Sequence, residues 1–219
     1  MKLAILFDLD GTLIDTAPDI AWALNQVVTA ALLRPFPIKE VRLMIGQGVE
    51  RLVAQAFDAR RASLSEAQLA FHTREMVRIY EANLHVQSKL MPFARECLSQ
   101  LYLAGYTLGV VTNKPQALSE KLLKHFDLAQ FVPVIRGLRP AVRRKPAPDM
   151  LQLAMAELEA LKAIMVGDSI SDVESAHACG LQAIIVKGGY TVPAPEYLGA
   201  DLVLDNLEQL FPTLRHLEC

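Results

Sequence analysis

LAILFDLDGTLIDT, residues 3–16, runs an unbroken apolar pentapeptide straight into two aspartates one leucine apart, with Gly11 and Thr12 following at once. A short apolar run bounded by a turn signal suits a strand buried on both faces, as in a parallel sheet covered by helices. Asp8 and Asp10 at the mouth of such a strand repel each other and lose hydration, so they call for a compensating ligand. Residues i and i+2 of an extended chain face the same way. The two carboxyl groups therefore suit one pocket, provided the chain stays extended to Asp10. Gly11 then permits a sharp exit that lets backbone N–H groups approach whatever binds there.

Four more apolar runs read as buried strands: TLGVVT (107–112), VPVI (132–135), AIMVG (163–167) and LQAIIV (181–186). Helical patterns lie between and after them, at 92–104, 115–125, 147–158 and 171–179, with a last one at 207–217. This alternation predicts a Rossmann-like, three-layer α/β core around a parallel sheet. The stretch 17–86 breaks the rhythm, with no strand pattern and too many residues for one crossover helix. It reads as four helices, 18–33, 38–44, 49–57 and 65–84, punctuated by Pro35, Pro37, Gly46 and Gly48. The expected organisation is a core of residues 1–15 and 87–219 with a helical cap domain, 16–86, inserted after the first strand. Its two connections must lie close together if the core is to fold, and an insert so tethered beside the strand tips can act as a lid. Trp22 and the apolar stripe of the first insert helix read as core.

The chain has 219 residues, 52% of them hydrophobic, and a net charge of −2, which provides for a real core and leaves little room for disorder. No long basic run points to nucleic acid. No apolar stretch is long enough for a membrane span, and the first apolar run is too short for a signal-peptide core. Cys97, Cys179 and Cys219 are odd in number and lack any C-x-x-C spacing, which speaks against both a disulfide framework and a zinc site. The expectation is a soluble, cytoplasmic protein, monomer or homodimer, whose partner is a small molecule.

Polar clusters sit at the predicted strand ends: Asp8 to Thr12, then Thr112-Asn113-Lys114, then Lys145-Pro146, and finally Gly167-Asp168-Ser169 with Asp172 beyond. Ligand sites in open parallel sheets form at the carboxyl ends of strands, so these clusters can converge. Asp8, Asp10, Asp168 and Asp172 together need a cation, and oxygen-only ligands suit Mg²⁺. Thr112, Lys145 and the amides after Asp8 offer donors to an anion. Carboxylates, a hard cation and phosphate-sized donors describe phosphoryl transfer. An aspartate can attack phosphorus to form an aspartyl phosphate, and a second carboxyl group can protonate the leaving alkoxide and later deprotonate water.

The motifs DLDGTLID, VVTNKP, RKPAPDML and VGDSISDVESAHACG, in this order and over almost the whole chain, resemble those of the haloacid dehalogenase (HAD) superfamily of aspartate-nucleophile phosphatases. The resemblance implies Asp8 as nucleophile, Asp10 as acid/base, and Mg²⁺ held by Asp8, Asp168 and the Asp10 carbonyl. Thr112, Asn113 and Lys145 are the candidate phosphate-binding residues. Thr12 has a supporting role, and Asp172 supports the metal or orients Lys145. The helical insert is similar to the superfamily's four-helix cap. Within the superfamily, DTAPDI, IGQGVERLV and the tail from GGYTVPAPEYLGADL onward are similar to the bacterial phosphoglycolate phosphatase group. That likeness implies hydrolysis of 2-phosphoglycolate to glycolate and phosphate. A sugar phosphate, pyrophosphate, a phosphomutase reaction or a phosphoacceptor signalling domain stay open as alternatives. Phosphonate cleavage would need a reactive lysine in the insert, where Lys39 stands without a neighbour that would activate it. A substrate carboxylate would call on Arg42, Arg51 or the amides after Gly46.

Overall fold

A computed structural model describes residues 3–191 and 193–217. Cys219 of the cysteine count and Val192 of the tail motif lie outside the described residues. The six-stranded sheet is built from β1 (Leu3–Phe7), β4 (Thr107–Pro115), β5 (Val134–Leu138), β6 (Lys162–Gly167), β7 (Gln182–Val186) and β8 (Leu202–Leu204). The order is β5-β4-β1-β6-β7-β8 and every pairing is parallel. Side-chain alternation along β1 divides the core. Ile5 and Phe7 pack with α5 (Ala94–Leu103), α6 (Gln116–His125) and α9 (Leu210–Leu217), while Ala4 and Leu6 pack with α7 (Asp149–Glu157) and α8 (Ile170–Ala178). These β1 side chains are fully buried, and each large one contributes about 1.5–3 kcal/mol of transfer free energy.

β5 begins two residues later than its apolar pattern, because Pro133 has no N–H for the ladder and pairing with β4 starts at Gly109↔Val134. β8 is a strand that the sequence pattern does not announce. It has only three residues between Asp201 and Asp205 and sits at the sheet edge.

Four helices fall between β2 (Ile14–Asp15) and β3 (Lys89–Leu90): α1 (Ala17–Ala30), α2 (Ile38–Arg42), α3 (Val49–Ala59) and α4 (Glu66–Ala82). α1 packs on α2 and α4, and α3 packs on α4. The ends of this segment do meet: β2 and β3 pair antiparallel, Ile14↔Leu90 and Asp15↔Lys89. Buried Asp19 fastens the junction by accepting hydrogen bonds from Gln87 N (2.9 Å), Ser88 N (2.8 Å) and Ser88 Oγ (2.6 Å). α4 starts in a capping box of Ser65 and Gln68.

Trp22 corrects the reading of α1. The buried stripe runs through Ile20, Ala23, Leu24, Val27 and Val28, and at 3.6 residues per turn Trp22 lies on the far side, 38% exposed. Among the described residues no helix is long and apolar enough to cross a membrane.

Candidate active site

Strand order reverses at β1, with β4 on one side and β6 on the other, which makes the carboxyl ends of these three strands the crevice of the fold. Asp8 follows β1, Thr112 to Lys114 form the tip of β4, and Asp168 follows β6. Lys145 arrives from the connection between β5 and α7. Clusters separated by more than a hundred residues thus share one place.

Lys145 is buried at the centre. Its Nζ donates to Asp172 Oδ1 at 2.5 Å and to Val111 O at 2.8 Å, and lies 3.1 Å from Asp8 Oδ1. Burial works to lower its pKa, but Asp172 and Asp8 more than offset this and hold it above the ordinary lysine value. Asp172 is itself fixed by Ser169, whose N and Oγ donate to Oδ2 at 3.0 and 2.7 Å in a capping box at the start of α8. Asn113 clamps the backbone of Lys145, with Oδ1 accepting from Lys145 N at 2.8 Å and Nδ2 donating to Lys145 O at 3.0 Å. The same Nδ2 donates to Gly46 O, between α2 and α3, at 2.9 Å. The Asn113 side chain is therefore committed to protein partners and positions Lys145.

Asp168 accepts from Thr12 Oγ1 at 3.0 Å and from Tyr190 N at 2.7 Å. Its packing requires glycine on two sides, because a Cβ at Gly11 would stand 2.7 Å from Asp168 Oδ2 and one at Gly189 only 2.2 Å. Gly11 also has φ +87°, a left-handed conformation that only glycine adopts freely.

Burial, aided by Asp172 and Asp10 and opposed by Lys145 and the Leu9 N–H, raises the Asp8 carboxyl to about 6. Burial and the neighbouring Asp172 and Asp8 push Asp168 well above the carboxylate range, against the Tyr190 and Thr12 hydrogen bonds. Asp8 Oδ1 is buried and accepts no aligned hydrogen bond. One carboxylate oxygen each from Asp8, Asp168 and Asp172 lie within 4.8 Å of one another. Among the described residues, Asp8, Asp10, Asp168 and Asp172 face two ammonium groups, Lys145 and Lys114, so that full ionisation of the four would leave two negative charges over. An orphaned hard oxygen in an all-carboxylate cluster with that excess suits a divalent cation such as Mg²⁺. Asp8, Asp168 and Asp172 are the side chains that could hold it, Asp172 being also paired with the Lys145 ammonium.

Asp10 differs from the expectation that a straight strand carries it. β1 ends at Phe7, and Asp10 forms an isolated bridge with Ile14 at the start of a tight turn. Its carboxylate lines the same pocket as Asp8 but is held by Thr16 Oγ1 at 2.6 Å and Lys114 Nζ at 2.9 Å. Arg42 is engaged with Asp15 at 2.8 Å, and Arg51 is exposed and absent from the pocket wall. Of the groups suggested for a substrate carboxylate, only the backbone around Gly46 and Gly48 reaches the pocket.

A family model described as haloacid dehalogenase-like hydrolase matches residues 5–186. The chain belongs to that family. It is 38% identical over 204 residues, 92% of this chain and 86% of the relative, to the phosphoglycolate phosphatase of Caulobacter vibrioides. It is 33% identical to the N-acetylmuramic acid 6-phosphate phosphatase of Pseudomonas aeruginosa, covering 99% of this chain and 96% of that one. Among solved structures, a predicted phosphoglycolate phosphatase from Haemophilus somnus 129pt superposes with a TM-score of 0.88 at 28% identity over 98% of each chain.

In this haloacid dehalogenase-like hydrolase, the sequence reading assigns no role to Lys114, Tyr80 or Tyr190, although VVTNKP contains the first and the GGYTVPAPEYLGADL tail the last. Tyr190 bridges the centre to the insert: its N–H holds Asp168 while its OH donates to Asp15 at 2.6 Å and accepts from Ala17 N at 3.0 Å. Lys114 stood in the TNKP run and could have been raised by its place two residues from Thr112 on one strand face. No local pattern marks Tyr80, whose role depends on how α4 packs.

Proposed function

We propose that this hydrolase is a Mg²⁺-dependent phosphomonoesterase acting on a small ester, with 2-phosphoglycolate as the leading substrate, through an aspartyl phosphate on Asp8. The observation that carries the reading is the buried Asp8 Oδ1, which accepts no aligned hydrogen bond and lies 3.1 Å from Lys145 Nζ, in a pocket that also contains Asp10 and Thr112. In the first step that oxygen attacks phosphorus and the bond to the ester oxygen breaks, with Asp10 giving its proton to the departing alkoxide. In the second step Asp10 takes a proton from water, the water oxygen bonds to phosphorus, and Asp8 is released as carboxylate. Lys145 and the Thr112 hydroxyl hold the phosphoryl oxygens, while Asp172 and Asn113 keep Lys145 aimed. Held by Asp8, Asp168 and the main-chain oxygen of Asp10, Mg²⁺ would neutralise charge on the transferring group.

We further infer that residues 16–86 act as the cap over this site. Asn113 to Gly46, Lys114 to Tyr80 (2.8 Å) and Lys121 to Glu81 (2.5 Å) link the sheet side to the insert. Apart from Tyr80, the side chains that the insert brings to the pocket, Ile20, Ile45, Leu52 and Met76 among them, are apolar, which favours a short leaving group over the hydroxyl-rich body of a sugar. The sugar-phosphate reading keeps support from the name of the Pseudomonas aeruginosa relative. The test is phosphate release from 2-phosphoglycolate, glucose 6-phosphate and pyrophosphate, with Mg²⁺ and with chelator, ranked by kcat/KM. The expected result is turnover only with the metal, 2-phosphoglycolate ranking first, and a loss on the order of 10⁴-fold in Asp8→Asn. Normal turnover by Asp8→Asn would contradict the mechanism, and a sugar phosphate ranking first would contradict the substrate.

A further inference from the structure

Apart from Tyr80, the side chains that the inserted segment brings to the pocket, Ile20, Ile45, Val49, Leu52 and Met76, have no polar group. An unpaired carboxylate placed against such a wall would lose several kcal/mol of hydration free energy. Among the described pocket residues there is a single cation, Lys114. Its side chain is 3% exposed, and its Nζ contacts both Asp10 oxygens, at 2.9 and 3.1 Å, and Tyr80 OH at 2.8 Å. The ammonium also lies 4.5 Å from the Tyr80 ring centroid, within cation–π range.

The phosphoryl chemistry proposed above does not use this charge, because Lys145, 3.1 Å from Asp8 Oδ1, serves the phosphoryl group. Lys114 instead touches Asp10, the group assigned to the ester oxygen. A cation in contact with that acid lies one methylene or so beyond the ester oxygen, the place of the carboxylate in a two-carbon leaving group. Thr112 and Lys114, both at the tip of β4, line the pocket. One strand tip thereby offers a group to each half of the substrate.

Resting on the phosphatase reading, we propose that Lys114, braced by Tyr80, receives a carboxylate on the carbon next to the ester oxygen, so that the pocket selects phosphorylated 2-hydroxy acids. A longer acid would carry its charge past the ammonium into the apolar wall. A neutral ester would leave the ammonium paired with Asp10 alone.

The test measures kcat/KM for 2-phosphoglycolate and for ethyl phosphate, which replaces the carboxylate by a methyl group, in the wild type, Lys114→Met, Lys114→Arg and Tyr80→Phe, all with saturating Mg²⁺. The wild type is expected to prefer the acid strongly. In Lys114→Met the acid-to-neutral ratio falls on the order of 10²-fold, mainly through KM for the acid, as for a site that loses a buried polar partner of its substrate. Lys114→Arg keeps most of the preference, and Tyr80→Phe lowers it by about tenfold. The last two keep the buried charge and carry the test should Lys114→Met not fold. A ratio unchanged in Lys114→Met, with both rates falling together, would overturn the proposal and place the carboxylate on the amides at the start of α3. A wild type indifferent to the carboxylate would overturn it as well. A wild type that releases phosphate from glucose 6-phosphate and from neither of these esters would remove the 2-phosphoglycolate reading, and this inference with it.

Discussion

The strand tips and the wall that faces them are built on opposite principles. At the tips, nearly every polar atom is buried and engaged: Lys145 among Asp8, Asp172 and Val111, Asp168 between Thr12 and Tyr190, and Asn113 across the Lys145 backbone. The wall from the inserted segment is apolar apart from the Tyr80 hydroxyl, which meets Lys114 of the β4 tip at the margin. A dense polar network fixes geometry and tolerates little change, whereas an apolar wall selects by shape, at about 1–3 kcal/mol per methylene. Changes at the tips should therefore alter the rate for every ester, and changes in the wall should alter the ranking among esters.

The largest effect is expected from Lys145→Met. It leaves Asp8 and Asp172 buried without their cation, a loss of about 3–5 kcal/mol in stability. The measurement is chemical denaturation together with turnover on two different esters. Equal loss on both esters supports the contrast, and a loss confined to one would break it.

A second effect is on the order of 3 kcal/mol and concerns Asp8 in the metal-free protein. Its folded pKa, about 6, lies above the ordinary 3.8, so between these values the folded state holds more protons than the unfolded one. Its unfavourable contribution is therefore absent below about 4, grows as pH rises through that window and is complete above about 6. In chelator, Asp8→Asn should be more stable than the wild type at pH 7.5, with the gap closing as pH falls toward 4. Adding Mg²⁺ at pH 7.5 should raise the wild-type melting temperature and remove the mutant's advantage. A gap that is constant with pH would show that Asp8 is not held as a strained carboxylate.

The smallest effect sharpens the wall side of the comparison. Ile45→Ala, at a half-buried pocket position, should move the kcat/KM ratio of a bulkier ester to 2-phosphoglycolate up by about tenfold, with ethyl phosphate turnover changed less. A uniform fall on all esters would assign Ile45 to the catalytic geometry instead.

The same contrast governs what the sequence makes legible. Strand-tip chemistry is written in short motifs, because a residue just past a buried strand has its direction set by the strand. Asp8, Thr112 and Asp168 could be placed together before any coordinates, once the parallel sheet was inferred. Lys145 needed the charge argument as well as its RKPAPDML motif, since its loop does not directly follow an apolar strand run. The insert offers no such frame. Trp22 counted as core by residue type, yet the phase of α1 turns it outward. Arg42 looked free for a substrate until β2 brought Asp15 beside it. Tyr80 and Lys114 meet across 34 positions of sequence, and only the packing of α4 against the strand tips brings them into contact. β8 is too short to show a period, and Pro133 displaces β5 from its own apolar run.

Borohydride quenching during turnover of 2-phosphoglycolate, followed by peptide mass spectrometry, examines the Asp8 oxygen directly, because the reagent reduces an acyl phosphate to the alcohol. The account requires homoserine in place of aspartate at position 8, dependent on substrate and absent when Asp8→Asn is treated alike. Reduction at Asp10, or no reduction anywhere while phosphate is being released, would contradict it.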